Sequence, residues 1–154
     1  MMKRLINIFG LLLIFSFVFS SAIAQEDVSI KIVKKANSLA GALTGLMEDW
    51  GATFVTENII YIPEYGLIIN INTMINSSSE EDIDGKELGK EVFSLLRDLG
   101  KRLPIDDGKW IVTHIKLAKF SGEAYLIYEW QKGTNRVRYW YNGVLQFDEE
   151  NYFK

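Results

Sequence analysis

Residues 136–147 read RVRYWYNGVLQF, and this stretch decides the fold. Asn142-Gly143 sits between two runs of β-branched and aromatic residues. Asn-Gly is the strongest short signal for a two-residue hairpin, because both central residues of that turn need positive φ. A two-residue loop also sets the register. It places Tyr141 opposite Val144, Trp140 opposite Leu145 and Arg138 opposite Phe147. Strand alternation then puts Arg136, Arg138 and Trp140 on one face and Val137, Tyr139 and Tyr141 on the other. Arginines on both sides of a Trp are hard to bury without partners. The first set is therefore expected on the outer face and the second in the core.

Working outward, Lys132 to Asn135 is a turn. Before it, Trp110 to Phe120 and Glu123 to Gln131 read as strands joined at Ser121-Gly122. The last third is thus a four-stranded meander, with Asp148 to Lys154 expected as a sheet edge or a frayed tail. Upstream, Leu88, Val92, Leu95, Leu99 and Leu103 recur at helical spacing. Asp84 and Glu87 are placed for a capping box, and Pro104 forbids continuation. Asn76 to Asp84 is polar and reads as a loop.

Ahead of that loop, Ala52 to Ile62 is a strand, with a break expected near Glu57-Asn58. Pro63 to Gly66 is turn chemistry, and Leu67 to Met74 alternates as a half-buried strand. Gln25 to Trp50 is a helix whose apolar stripe is Ile32, Ala36, Leu39, Leu43, Leu46 and Trp50. Gly41 and Gly45 lie one turn apart inside it, where each glycine costs about 1 kcal/mol relative to Ala. Tight packing on the protein's own sheet is the expected reason, with a partner helix as the alternative. Two one-faced helices must cover a sheet to bury their stripes. The expected class is α+β, in the order α-β-β-α-β-β-β-β, with both helices on one face of a mainly antiparallel sheet.

Residues 1–24 read differently. Lys3 and Arg4 precede an apolar run from Leu5 to Phe19, and Ala22 and Ala24 supply a small-residue exit. These are the three parts of a secretory signal peptide. The apolar run is shorter than the about 20 residues a spanning helix needs, so no stable membrane insertion is expected after cleavage. Residues 25–154 are the length of one domain. A periplasmic or secreted location follows. The chain has no cysteine, so core burial alone must hold it together, and thiol chemistry is excluded.

The whole chain carries a net charge of −3, and the part after residue 24 is more acidic because Lys3 and Arg4 are gone. Nucleic-acid binding, which rests on neutralising phosphates, is not expected. No nucleotide loop, serine elbow or H-E-x-x-H motif occurs, and no cofactor is implied. His114 is the only histidine and reads as a sheet-surface residue. Glu80, Asp82, Asp84 and Glu91, with Gly85, loosely follow a calcium-loop spacing. Glu at the first position and a strand in place of the incoming helix count against it, and an acidic helix start is the plainer reading.

Ten of the twenty aromatic residues lie within 120–154. Tyr, Trp and Arg are the types enriched at binding hot spots. Arg136, Arg138, Trp140 and Phe147 are therefore the candidate binding residues. The function expected is a non-enzymatic interaction domain meeting a protein partner in the cell envelope, with a glycan as the second choice. A carboxylate-based hydrolase and a calcium-stabilised module are the alternatives.

Overall fold

The computed structural model describes residues 27–75, 84–119 and 122–154. The chain divides into two compact units, Met1–Lys31 and Ile32–Lys154. Of the first, the described residues are helical, and Lys31 Nζ lies 2.6 Å from Asp27 Oδ2. The signal-peptide reading falls on residues 1–24, outside the described residues.

Helix α1 covers residues 27–49. Strands β1 (Ala52–Ile62) and β2 (Gly66–Ile75) follow, then α2 (Gly85–Gly100), β3 (Trp110–Lys119), β4 (Gly122–Gln131), β5 (Arg136–Tyr141) and β6 (Val144–Glu149). The order is the expected one. The six strands lie in one sheet in sequence order. All neighbours pair antiparallel except β2 and β3, which are parallel. A parallel pair needs a crossover, and α2 supplies it by carrying the chain back to the end where β2 began. β1 is continuous through Glu57-Asn58; its one irregularity is a bulge between Ala52 and Phe54. The polar pair does not break the strand because Asn58 lies opposite Asn70, on the half-exposed face.

One face of the sheet is largely apolar, with Thr73 and Thr113 as its buried polar residues. Leu67, Ile69, Ile71, Ile111, Ile115, Leu126, Tyr128, Trp130 and Val137 are fully buried there, beneath Ile32, Ala36, Leu39 and Leu43 of α1 and Leu88, Val92 and Leu96 of α2. The α1 stripe follows the expected spacing, with Met47 added and Trp50 only partly covered. α2 departs from expectation. Leu95 and Leu99 are half-exposed, while Gly85, Gly89, Phe93 and Gly100 are buried. A Cβ on Gly100 would come within 2.6 Å of Ile111 Cδ1 and 2.9 Å of Trp130 Cζ3. Glycines on that side let the helix backbone rest on the large rings of β4, and this turns the leucines outward. The helix also stops at Gly100, so Leu103 is buried from the turn that follows.

Gly41 and Gly45 do not share this role. Among the described residues nothing lies within 4 Å of a Cβ built on either, so tight packing on the protein's own sheet is not their explanation. The tail is also not frayed. Tyr152 packs edge-on against Phe93 at 5.5 Å, and the Arg97 guanidinium sits 4.1 Å over the Phe153 ring.

Candidate functional site

The face of the sheet that neither α1 nor α2 covers, the helix-free face among the described residues, can be built row by row from the strand register. One row runs Ile60, Ile68, Val112, Glu129, Arg138, Asp148. The next runs Asn58, Asn70, His114, Ile127, Trp140, Leu145, and a third runs Thr56, Asn72, Lys116, Tyr125. Trp110 and Gln131 lie beyond the first row, beside Arg136.

Glu129 is the centre of this face and is only 8% exposed. Its two carboxylate oxygens are both engaged. The Tyr65 hydroxyl donates to Oε1 at 3.1 Å, and the Trp140 indole N–H donates to Oε2 at 3.1 Å. Arg138 Nη1 lies 3.8 Å from Oε2. The guanidinium of Arg138 stacks 4.5 Å over the Trp110 ring, as a planar cation over an aromatic face does. Arg138 Nε is 3.4 Å from Asp148 Oδ2, close enough for an ion pair but not aligned as a hydrogen bond. Arg136 grips Asp148 through two bonds of 2.8 and 2.7 Å.

The electrostatics follow from these contacts. Burial, then the neighbouring Glu129 charge, pushes the Tyr65 phenol up to about 12. The hydrogen bond from Arg136 holds the Asp148 carboxyl below its ordinary value. Burial lowers the His114 imidazole, and the attraction of Glu129 only partly offsets this. His114 is therefore neutral at pH 7.

Arg136, Arg138 and Trp140 stand on the helix-free face, while Val137 and Tyr139 are buried on the other. Tyr141 shares the side of Leu126 but is 42% exposed at the sheet's end. Phe147 is a correction. The Asn142-Gly143 turn forms with positive φ at both residues, and Tyr141 pairs with Val144 and Trp140 with Leu145 as expected. A bulge at Gln146 then slips the register, so Phe147 pairs with Tyr139 and Asp148 with Arg138. One extra residue flips every side chain after it. Phe147 thus joins the helix-covered side, edge-on to Tyr152 at 5.8 Å, and Asp148 takes its place beside the arginines.

Other recesses lie elsewhere among the described residues. One of ≈ 420 Å³ sits at the start of α2 between Gly85, Gly89, Phe93, Tyr139, Phe147 and Tyr152. A wider groove between α1 and α2 is lined by Ala42, Gly45, Leu46, Glu91, Leu95 and Asp98. Of the calcium-loop residues, Asp84 caps α2 by accepting from the Lys86 N–H at 2.8 Å, and Glu91 accepts from the Trp50 indole at 3.2 Å. Glu87 pairs with Lys90 rather than closing a capping box. Glu80 and Asp82 lie outside the described residues. Among the described residues, no three His, Asp or Glu side chains converge, and no helix is long and apolar enough to cross a membrane.

Sequence reasoning did not single out Glu129, Tyr65, Trp110 or Asp148. A carboxylate inside the otherwise apolar run YLIYEW (125–130) was the one local signal for Glu129. Tyr65 reaches it from the turn before β2, and Trp110 and Asp148 join the cluster through Arg138. No protein family, curated protein or solved structure matches this chain.

Proposed function

We propose that the chain is an exported, non-enzymatic binding domain that works through the helix-free face of its sheet, with Arg138 and Trp140 at the centre of the contact surface. The observation that carries this reading is the engagement of Glu129. A carboxylate acting as acid, base or nucleophile must be free to meet substrate. Both oxygens of Glu129 instead hold Tyr65, Trp140 and Arg138 in place. The group acts as a strut that fixes two aromatic rings and a guanidinium on a surface. Pre-set side chains lose little freedom on binding, so they favour recognition. Export is the reading of residues 1–24, and the absence of cysteine is compatible with it.

A matched pair of tyrosines tests the face. Tyr125 stands on the helix-free side and is 48% exposed; Tyr141 is on the opposite side and 42% exposed. The purified protein is co-sedimented with envelope material from its own cells. Tyr125→Ala and Trp140→Ala should leave protein in the supernatant, while Tyr141→Ala should sediment like the wild type. Release by Tyr141→Ala alone would place the contact surface on the other side.

A further inference from the structure

The charged groups of the helix-free face are already matched to one another. Arg136 and Arg138 share Asp148, Arg138 and Glu129 face each other, and Lys116 Nζ lies 2.7 Å from Glu123 Oε1. The groups left free are of another kind. Beside these pairs, Asn70, Asn72, His114, Lys116, Tyr125 and Ile127 border a recess of ≈ 400 Å³. That volume lies within the roughly 300–1,000 Å³ of small-molecule sites. Among the described residues, the side chains of Asn70, Asn72 and His114 have no hydrogen-bond partner. Asn70 and His114 are direct cross-strand neighbours, and Asn72 stands two residues along β2 from Asn70 on the same face.

These free groups define a ligand. An amide offers both donors and an acceptor, and a neutral imidazole offers one of each. Burial keeps the His114 ring in its neutral form. A set of uncharged groups that both donate and accept matches neighbouring hydroxyls, which also do both. It offers little to a phosphate or carboxylate, since the one cation at the rim, Lys116, is held by Glu123. Two rings frame the recess and its row. The Tyr125 hydroxyl donates to Glu123 Oε2 at 2.6 Å, and the Trp140 indole donates to Glu129. Each ring is tethered by its polar edge, which leaves apolar face to lie against C–H groups. We infer that the recess at Asn70, Asn72 and His114 binds a segment of uncharged glycan. This inference rests on the helix-free face being the binding face.

The test is calorimetry of the purified protein with four neutral oligosaccharides, maltohexaose, cellohexaose, laminarihexaose and chitohexaose, and with an anionic oligogalacturonate. At least one neutral oligosaccharide should bind, with an affinity that does not change from low to high salt. Asn70→Ala and His114→Ala should each weaken it about tenfold, as expected for the loss of one or two hydrogen bonds. The exposed Asn72→Ala, which risks no core packing, should weaken it too, and Tyr141→Ala should leave it unchanged. No binding by any of the four, salt-sensitive binding of the anionic probe alone, or binding indifferent to all three recess variants would overturn the inference. The two readings fail separately. If neutral oligosaccharides fail while Tyr125→Ala still releases the protein from envelope material, the glycan falls, and the face remains with a protein partner. If Tyr141→Ala is the variant that releases it, both fall.

Discussion

Tyr128 and Glu129 are neighbours in β4 and face opposite worlds. Tyr128 is fully buried, stacks on Tyr139 with ring centroids 4.8 Å apart, and donates its hydroxyl to the Gly85 carbonyl at 2.7 Å. Its job is to seat α2. Glu129 is nearly as buried, yet neither α1 nor α2 covers it; among the described residues it is hidden by the side chains it holds. On one face large apolar groups are closed off by helices. On the other, polar and aromatic groups order one another and leave their outer surfaces open. Burial means packing on the first face and pre-organisation on the second.

The largest effect that separates the faces is ring truncation. Trp130→Ala, beneath α2, should cost about 3–5 kcal/mol of stability. Trp140→Ala, on the helix-free side, should cost about 1.5–3 kcal/mol, the value of a hydrogen bond to a charged group. Chemical denaturation of the two variants checks this, and equal losses would erase the distinction.

Next come the helix glycines. Gly100→Ala drives a methyl into Ile111 and Trp130 and should cost about 1–3 kcal/mol. Gly45→Ala meets open space inside a helix and should stabilise by about 0.5–1 kcal/mol. Opposite signs in thermal melts support the close approach of α2; a gain at Gly100 would contradict it.

The smallest effects are in pH. Tyr65 has a folded pKa raised above its ordinary 10.0, to about 12. The native state therefore keeps its proton longer than the unfolded chain. The stability it lends is complete below pH 10 and is lost as pH rises from there toward about 12. Tyr65→Phe should remove that alkaline step. His114 runs the other way. Its folded pKa lies below 6.5, so its contribution is complete above that value and declines as pH falls below it. An NMR titration of its ring should show a midpoint under 6.5; one above would mean that Glu129 outweighs burial.

These contrasts also mark what could be read from the chain. Periodicities of two and 3.6 carry the helices, the strands and the hairpin turns, because those are local properties. The face of Trp140 followed from alternation and from the arginines on either side of it. Phe147 did not, because nothing in VLQF announces that Gln146 is the extra residue. The parallel pairing of β2 with β3 had no local signal, since it depends on where α2 delivers the chain. The glycines teach the same lesson. Gly41 and Gly45 look in sequence like Gly85 and Gly89, and only the rings opposite decide which pair is needed. Glu129 gathers a turn and two strands, so its cluster became visible only once the register was known.

The central claim is that the helix-free face is the working one, and adjacent isoleucines test it directly. Ile68 and Ile127 stand on that face; Ile69 and Ile115 stand beneath the helices. Methyl NMR spectra are recorded as the neutral oligosaccharide that binds, or solubilised envelope material, is added. The account predicts that the Ile68 and Ile127 signals shift while those of Ile69 and Ile115 stay in place. Shifts confined to Leu46 and Leu95, in the groove between α1 and α2, would contradict it.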